Sequence, residues 1–586
     1  MTTFEVWAPS HDRVRLRTLG HDHEMSPAPY GMWRVVVPEA GPGSDYAFLL
    51  GDDDTPLPDP RSRWQPEGVH GPSRLYDTQA YEWHDAEWTG RQLAGSVVYE
   101  LHVGTFTPEG TFAAAAQKLD HLVELGVDLV EVLPVNAVNG THNWGYDGVG
   151  WYAVHEPYGG PDGFKAFVDA CHRAGIGVVL DVVYNHLGPS GAYLPRFGQF
   201  FKPGRSTWGD LVNLDGPGSE PVRRLILDNA LMWLHEFHVD GLRLDAVHAL
   251  VDLGALHILE ELAVEVDALS THLRRPLTLI AESDLNDPRL VRSRDAGGYG
   301  LTAQWDDDVH HALHALLTGE KQGYYSDFGS LGTLAKAFTG AFVHDGSYSS
   351  FRGRVHGRRV NRDDTPGHRF VAFLQDHDQV GNRALGDRLS SDPGALSPQL
   401  LKVGAALLLT SPFTPMLWMG EEWGASTPWQ FFTSHPEPEL AAAVATGRRE
   451  EFAAHGWDTD DVPDPQDPAT FQRSKLDWAE TAAGPHADVL EFYRRAIALR
   501  RARPQLSDPR LDRVEVAYDE GARWLVVHRG SLRVAVNLSA TRQEVPLDGT
   551  PMSVLLSSVP GFVYRDGIVE LEPESVAVIE LSARSS

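Results

Sequence analysis

Eight apolar runs alternate with longer amphipathic segments between residues 96 and 420, and this alternation constrains the fold more than any other feature. Each run is continuously apolar, as in strands that are covered on both faces of a parallel sheet. Eight such strands alternating with helices predict an α/β fold with a (β/α)8 TIM barrel. A doubly wound parallel sheet is the alternative fold. The predicted strands are 96–103, 127–135, 176–185, 239–247, 277–283, 302–308, 369–378 and 414–420.

The rest of the chain predicts a β-domain at each end of the barrel. Residues 1–90 contain short alternating segments divided by Gly, Pro and Asp, which is typical of an immunoglobulin-like β-sandwich. Residues 506–586 show the same alternation and predict a C-terminal β-sandwich domain. The barrel domain then occupies residues 91–505, with loop insertions at about 319–368 and 421–480 that are rich in Gly, Pro, His and charge.

Composition narrows the classes of partner that the chain can have. Fifty basic against eighty-one acidic side chains give a net charge of −31, which disfavours a nucleic-acid or anionic-membrane partner. No apolar run is long enough to span a membrane and the N-terminus has no signal-peptide pattern, so a cytoplasmic protein is expected. The single cysteine, Cys171, excludes an intrachain disulfide and is predicted to be buried in a helix. We expect a monomer without a cofactor.

Most of the apolar runs end in acids, histidine or asparagine. The C-terminal strand ends of a (β/α)8 barrel carry the active site, so Asp245, Glu282 and Asp378 are predicted to converge although they are far apart in sequence. Three carboxylates suit either a metal site or a glycosidase. No H-E-x-x-H or D-x-D-x-D-G motif is present, so no metal site is predicted.

Glycoside hydrolysis needs two carboxyl groups whose pKa values differ. Arg243 is two residues from Asp245 and thus on the same strand face, where its charge would keep Asp245 ionised as a nucleophile requires. Glu282 follows the apolar run LTLIA, where desolvation would raise its pKa and hold a proton ready to donate. Each carboxylate alone could be a structural ion pair or helix cap, but their joint placement at strand ends indicates an active site.

Four segments carry a family resemblance, namely DVVYNH, GLRLDAVHA, AESD and QDHDQ. In order and spacing they resemble the signature segments of the α-amylase superfamily, glycoside hydrolase family 13. The resemblance implies a retaining reaction with Asp245 as nucleophile, Glu282 as general acid/base and Asp378 as transition-state stabiliser. It also implies a set of residues around the sugar at the cleavage site: Arg243, His377, Asp181 and His186.

Longer segments resemble the members of this family that release trehalose. These are NWGYDGVGWYAVHEPYGGPDGFKAFVDACHRAGIGVVLDVVYNHLGPSG, MGEEWGASTPWQFFTSHPEPELAAAVATGRREEF and PDPQDPATFQRSKLDW. The N-terminal FEVWAPSHDRVRL resembles a sandwich domain shared with branching and debranching enzymes. The resemblance implies an oligosaccharide substrate, maltooligosyl trehalose, cleaved at the α-1,4 bond next to its trehalose end. A branching enzyme, which transfers to a glucan hydroxyl, and a non-catalytic glucan-binding protein are the alternatives.

Trehalose has no reducing end, so its recognition must rest on hydroxyl contacts and stacking. We expect further substrate contacts from residues that follow the second, fourth, sixth, seventh and eighth strands: Tyr146, Asp147, Trp151, Tyr152, His248, Gln304, Trp305, Asp306, Asp307, Asp308, Gln379, Asn382, Trp423, Trp429, Phe431 and Phe432. Core packing is the alternative for each aromatic residue taken alone. The neighbouring Glu421 and Glu422 are predicted to be solvated charges at a strand end.

One position departs from the family pattern. The stabiliser is usually preceded by Asn-His, but here by Asp376 and His377. Strand alternation would place Asp376 and Asp378 on the same side, where each acid raises the pKa of the other. The departure puts in doubt the role of the usual asparagine, not the assignment of Asp378.

Overall fold

The computed structural model describes residues 2–391, 394–454, 462–482, 484–561, 563–565 and 567–582, and its centre is a closed barrel of eight parallel strands. The strands are β1 (Val98–Leu101), β2 (Leu129–Val132), β3 (Gly177–Val182), β4 (Gly241–Leu244), β5 (Thr278–Ala281), β6 (Ala303–Trp305), β7 (Phe370–Phe373) and β8 (Thr414–Trp418). They pair in chain order, and β8 closes the ring on β1. Each lies within one of the eight predicted runs, so the predicted TIM barrel is confirmed.

Helices cover the outside of the barrel because each carries one apolar face towards the strands. The longer ones are Gly160–Arg173, Ser219–Glu236, Ile258–Leu273, Asp307–Thr318, Leu331–Gly340, Pro398–Thr410, Pro438–Ala454 and Gly484–Ala502. Shorter ones are Val103–Phe106, Phe112–Ala116, Leu119–Leu125, Leu194–Phe197, His377–Gly381, Pro468–Arg473 and Pro504–Ser507. Cys171 is buried in the helix Gly160–Arg173, as predicted. Among the described residues, no helix is both long and apolar enough to cross a membrane.

Antiparallel sheets flank the barrel in sequence. The N-terminal part has a three-stranded and a four-stranded sheet, built from Thr2–Trp7, Val14–Thr18, His21–Glu24, Ser26–Ala28, Met32–Val37, Asp45–Leu50 and Ser73–Arg74. The C-terminal part has a five-stranded and a three-stranded sheet, built from Glu515–Asp519, Trp524–Arg529, Leu532–Asn537, Gln543–Pro546, Pro551–Ser557, Val563–Arg565, Ile568–Leu571 and Ser575–Leu581. The exact domain limits at residues 90 and 505 stay predictions.

The barrel interior changes from apolar to polar along the strands. Alternate residues of the strands, among them Val98 and Leu129, form a buried apolar cluster. Two residues further on, the same inward face carries polar side chains, because side chains repeat every second residue along a strand. These residues are Glu100, Glu131, Asp181 and Arg243, all of them buried. The apolar layer therefore closes the barrel beneath a charged layer at the C-terminal strand ends.

A buried histidine ties the segment before the barrel to the N-terminal end of the strands. His172 is fully buried between two carboxylates, with Nδ1 2.8 Å from Asp85 and Nε2 2.9 Å from Asp240. His238 also contacts Asp85, at 2.8 Å. Trp88 stacks on His172 with 4.5 Å between ring centroids. Both nitrogens of His172 face acceptors, so the ring is an imidazolium.

We expect His172→Gln to lower the free energy of unfolding by about 3 kcal/mol, because it removes the buried cation between Asp85 and Asp240 and leaves Asp85 with His238 alone. Burial alone would lower the pKa of His172, but the hydrogen bonds to Asp240 and Asp85 raise it above its usual value. The stabilisation is therefore complete below about pH 6.5 and is lost as pH rises through the raised pKa. Urea unfolding at several pH values measures the difference.

Arg173→Gln on the same helix is the control, because that arginine is 59% exposed and, within the described part of the chain, its ion pair is with Asp169 at 3.5 Å. This variant should lower the free energy of unfolding by about 1 kcal/mol or less. Equal losses for the two variants, or a loss in His172→Gln that does not change with pH, would contradict the assignment.

Candidate active site

Arg243 organises the charged layer at the strand ends. The guanidinium is fully buried, and Nη1 donates to both oxygens of Asp181, at 3.0 and 2.8 Å. The same nitrogen donates to Oδ1 of Asp245 at 2.9 Å. Arg243 and Asp245, the two charged residues of the GLRLDAVHA segment, thus contact each other, and Arg243 also contacts Asp181 on β3. A buried cation shared by two carboxylates fixes the positions of both.

Asp245 comes directly after β4 and is held at both oxygens. Besides Arg243, Nδ2 of Asn185 donates to its Oδ2 at 2.6 Å. Its backbone N–H donates to the carbonyl of Val182 at 3.1 Å, which aligns it with the end of β3. Two donors, one of them a cation, stabilise the negative charge of this carboxylate. Asn185 was not among the predicted site residues, although it belongs to the DVVYNH segment.

Glu282 follows β5 and lies beside Asp245. Its Oε2 accepts a hydrogen bond from the backbone N–H of Ala246 at 2.6 Å and lies 3.7 Å from Nη2 of Arg243. Burial raises the pKa of Glu282 well above its usual range; Arg243 opposes this rise, whereas Asp245 and Asp378 add to it. The surroundings of Glu282 therefore favour its protonated form.

Asp378 is the second residue of the short helix His377–Gly381, and its side chain is 40% exposed. Oδ1 accepts a hydrogen bond from Nδ2 of Asn382 at 3.2 Å and lies 3.5 Å from Nε2 of His377. The charge of Asp378 adds to the raised pKa of Glu282, so the structure brings all three predicted carboxylates together.

The strand alternation predicted for Asp376 and Asp378 is wrong, because β7 ends at Phe373 and a helix begins at His377. Strand alternation therefore does not apply to residues 376 and 378. Asp376 is the buried N-cap of that helix, and its Oδ1 accepts a hydrogen bond from the backbone N–H of Gln379 at 2.8 Å. The Gln379 side chain also faces this carboxyl group. Burial raises the pKa of Asp376 well above its usual range.

Asp376→Asn is expected to keep kcat/KM within about threefold of the wild-type value, since asparagine caps a helix as well as aspartate does. The change also removes a carboxyl group whose ionisation burial opposes, so the melting temperature should not fall. Steady-state kinetics and thermal unfolding test this. A loss of activity comparable to that in Asp378→Asn would show that Asp376 acts on substrate.

Tyr146 links three of the residues near Asp245, namely Asp181, His377 and His186. Its hydroxyl donates to Oδ2 of Asp181 at 2.7 Å and lies 2.7 Å from Nε2 of His377, on which its ring stacks. Nε2 of His186 lies 2.9 Å from the carbonyl of Tyr146. Burial raises the pKa of Asp181 to about 6, although Arg243 opposes the rise. The implied sugar-binding residues Arg243, His377, Asp181 and His186 therefore form one connected group with Tyr146.

The run Gln304 to Asp308 is only partly in the site, which corrects the prediction for its other members. Gln304 is buried, and Asp306 is a buried N-cap that bonds the N–H of Val309. Asp308 is buried and accepts the backbone N–H groups of Val343 and His344. All three side chains are therefore buried away from the surface of the site. Trp305 lies beneath the Arg243 guanidinium, 4.4 Å from it.

Asp307 is the member of this run that faces the three carboxylates. Burial raises its pKa to about 7, and Asp284 and Asp378 contribute to this rise. Oδ2 of Asp284 lies 2.8 Å from Nη2 of Arg352, which the sequence reasoning did not include. Arg352 lies between strands Ser347–Ser349 and Arg354–His356, where the aromatic rings of Tyr348 and Phe351 are exposed.

Most of the predicted aromatic contacts pack in the core instead. Trp423, Trp429, Phe432, Trp151 and Tyr152 are buried, so they take the packing role that was the alternative for each of them and offer no exposed face for stacking. Trp423, Trp429 and Phe432 belong to the loop after β8, whereas the Tyr152 hydroxyl donates to the carbonyl of Leu225 and Trp151 packs edge-on against Tyr184. The partly buried Phe431 lies under the guanidinium of Arg448.

Three remaining predicted contacts, Asp147, Asn382 and His248, lie at the edges of the group that Tyr146 connects. Nδ2 of Asn143 donates to Asp147 at 2.6 Å, and Asn382 is exposed beside Asp378. His248 is half-buried and lies 5.5 Å, between ring centroids, from Trp208.

Trp208 is an aromatic residue that the sequence reasoning missed. It lies at the tip of the hairpin Phe201–Ser206/Gly209–Val212, and 44% of its surface is exposed. Its ring is stacked at 6.5 Å from that of His186. The only signal in the sequence is a tryptophan in the otherwise polar stretch GRSTWGD.

Glu421 and Glu422 are buried, which corrects their prediction as solvated charges. Glu422 accepts hydrogen bonds from the Tyr99 hydroxyl at 3.1 Å and from His121 at 2.8 Å. Glu421 accepts one from Tyr493 at 2.9 Å, and burial raises its pKa to about 8. They join β8 to the surrounding helices and take no part in the site.

Known proteins are similar to this chain over nearly its whole length. A family model described as the catalytic domain of alpha amylase matches residues 71–201, and a domain of unknown function, DUF3459, matches residues 509–578. The chain is 57% identical over 584 residues to malto-oligosyltrehalose trehalohydrolase from Rhizobium sp. (strain M-11), covering 98% of this chain and 97% of the relative. It is 59% identical to the Arthrobacter ramosus protein of that name, covering 93% and 94% of the two chains.

A solved structure is similar over nearly the whole length. The crystal structure of a putative alpha amylase from Salmonella typhimurium superimposes with a TM-score of 0.90 at 41% identity, covering 99% of this chain and 97% of the other. The similarity therefore includes both terminal β-regions as well as the barrel.

Proposed function

The chain is a glycosidase that belongs to the malto-oligosyltrehalose trehalohydrolase family, within the α-amylase superfamily, and from this we propose that it hydrolyses maltooligosyl trehalose. The bond cleaved is the α-1,4 bond that adjoins the trehalose end, and the products are trehalose and a maltooligosaccharide. The observation that carries the proposal is the 57% identity over 584 residues, which leaves no segment of the barrel unaccounted for.

In the first proposed step, the Asp245 carboxylate attacks the anomeric carbon while Glu282 protonates the departing trehalose oxygen. Arg243 and Asn185 hold Asp245 ionised and in position, and burial keeps the proton on Glu282. The bond from the anomeric carbon to oxygen breaks as the bond to Asp245 forms. The product is a β-glycosyl ester on Asp245, and trehalose leaves with the proton of Glu282.

In the second proposed step, the ionised Glu282 takes a proton from water as the oxygen of that water attacks the same carbon. Asp245 is released and the configuration is retained. Asp378, which is half-exposed beside Glu282, stabilises the positive charge that develops on the sugar in both steps.

The substrate-binding surfaces are proposed from the exposed aromatic rings on the two sides of the carboxylates. Trp208 lies beside His186 and His248, whereas Phe351 lies on the hairpin that Arg352 anchors to Asp284. Sugar faces stack on such rings, and trehalose offers hydroxyl groups to Asp307 and Asp284. The cytoplasmic location and monomeric state stay predictions.

Product analysis tests the proposal and separates it from transglycosylation. The enzyme is incubated with maltotriosyl trehalose, with maltopentaose and with amylose, and the products are separated by anion-exchange chromatography. We expect trehalose and maltotriose from the first substrate and at least about 10-fold slower cleavage of the second. Branched glucan formed from amylose, without trehalose from the first substrate, would favour the branching enzyme and overturn the proposal.

A further inference from the structure

Two glutamates face the barrel interior directly beneath the site. Glu100 on β1 and Glu131 on β2 are register partners and are both buried. Oε2 of Glu100 accepts a hydrogen bond from the backbone N–H of His377 at 3.1 Å, and Oε1 lies 2.5 Å from Nδ1 of the same residue. Among the described residues, neither carboxyl oxygen of Glu131 has a hydrogen-bond partner. Two neighbouring carboxyl groups thus have opposite surroundings.

The hydrogen bonds around His377 determine its protonation. The Tyr146 hydroxyl has one hydrogen, which it donates to Asp181, and the Asp181 carboxylate is fixed by Arg243. The Tyr146 oxygen, 2.7 Å from Nε2 of His377, must then accept a hydrogen from that nitrogen. Because Nδ1 faces the Glu100 carboxylate, both ring nitrogens are donors. His377 is therefore an imidazolium.

This cation is enclosed by aromatic rings and needs a buried counter-charge. Tyr146 stacks on the His377 ring, and Trp144 and Trp305 meet it edge-on at about 6 Å. Burial disfavours the charged ring, yet Asp378 and Glu100 together raise the pKa of His377 to about 10, against the opposing charge of Arg243.

Glu131 does not compete for this cation. Burial and the charge of Glu100 raise the pKa of Glu131 well above its usual range, so it is neutral. Arg243 and His377 oppose this rise, but Arg243 already shares its charge between Asp181 and Asp245. The one that contacts His377 carries the charge.

We propose that Glu100 is a positioning residue of the reaction, which holds the His377 imidazolium in a fixed orientation against Asp378, while the neutral Glu131 leaves the charge of Glu100 to His377. The inference rests on the proposed function for its effect on the rate. Without the Glu100 charge, the ring becomes neutral and one of its nitrogens becomes an acceptor. Where that nitrogen is Nε2, Tyr146 must donate to it and loses its hydrogen bond to Asp181. The sugar would then meet a neutral, less firmly oriented ring.

The test compares two isosteric changes, Glu100→Gln and Glu131→Gln, in the full-length enzyme. Glu100→Gln should lower kcat about 10- to 100-fold with KM changed less than about threefold, as when a carboxylate that orients a histidine is removed. Glu131→Gln replaces one neutral group by another and should keep kcat within about twofold. Histidine-selective ¹⁵N labelling, with His377→Gln to assign the resonance, should show both nitrogens protonated at neutral pH in wild type and Glu131→Gln only.

Equal loss of kcat in the two variants, or a doubly protonated His377 in Glu100→Gln at neutral pH, would overturn the inference. If Glu100→Gln unfolds, Glu100→Asp takes its place, because it keeps the charge: His377 must remain doubly protonated there, and a neutral ring overturns the inference. If the wild type releases no trehalose, the proposed function fails, whereas the ¹⁵N comparison still decides whether Glu100 charges His377.

Discussion

Asp245→Asn is expected to abolish the release of trehalose, lowering kcat by about 10⁴- to 10⁶-fold. The amide has nearly the shape of the carboxylate and keeps the contact with Arg243 or Asn185, but it cannot form the glycosyl ester. Binding should survive because the hydrogen-bonded group of Arg243, Asp181, Tyr146 and His377 stays in place. Trehalose release over hours, measured against the uncatalysed reaction, gives the size of the effect.

Two further measurements make the Asp245 result specific. Asp210→Asn, at a side chain that is 69% exposed on the Trp208 hairpin, is the matched control and should be fully active. A 5-fluoro-glycosyl fluoride should label the wild type, and peptide mass spectrometry should locate the added sugar on Asp245. More than about 1% residual activity in Asp245→Asn, or a label on another carboxylate, would refute the assignment.

Glu282→Gln should lower kcat for maltotriosyl trehalose by about 10³- to 10⁴-fold, because trehalose cannot leave without a proton. A glycosyl fluoride needs little protonation to leave, so its first step should be far less affected. Azide should then accelerate turnover of the fluoride by attacking the intermediate without a general base, and the product should be an α-glycosyl azide. Equal losses for the two substrates would rule out Glu282 as the acid.

The raised pKa of Glu282 also fixes the direction of the pH dependence. The protonated carboxyl group is the active form in the first step, so kcat/KM should fall as pH rises through that pKa. When Glu282→Gln acts on the fluoride substrate, the fall in kcat/KM at alkaline pH should disappear. Its persistence would assign the fall to another group.

The barrel could be predicted because its strands are buried on both faces and therefore continuously apolar. The convergence of Asp245, Glu282 and Asp378 followed from their position at strand ends. Glu100 and Glu131 carried the same signal as Arg243, a charge inside an apolar run, but nothing in a single sequence says which charge reaches the substrate and which lies beneath it.

The errors occurred where tertiary contacts decide the environment of a side chain. Asp306 and Asp308 stand next to Asp307, but the start of a helix turns them inward to cap backbone N–H groups. Glu421 is buried because Tyr493, which lies far along the chain, supplies its hydrogen bond. The sequence pattern specifies where an element begins better than which neighbours it meets.

The contacts of His172 bear on how the enzyme can be shortened. Asp85 and Trp88 come before the predicted start of the barrel domain, yet they neutralise and cover a buried cation on a barrel helix. A truncation at residue 90 would expose that imidazolium and remove one of its counter-ions, whereas a cut before Trp83, which stacks on His238, would leave the group whole. For protein engineering, residues 83–91 should therefore be treated as a part of the barrel that any single-domain version must retain.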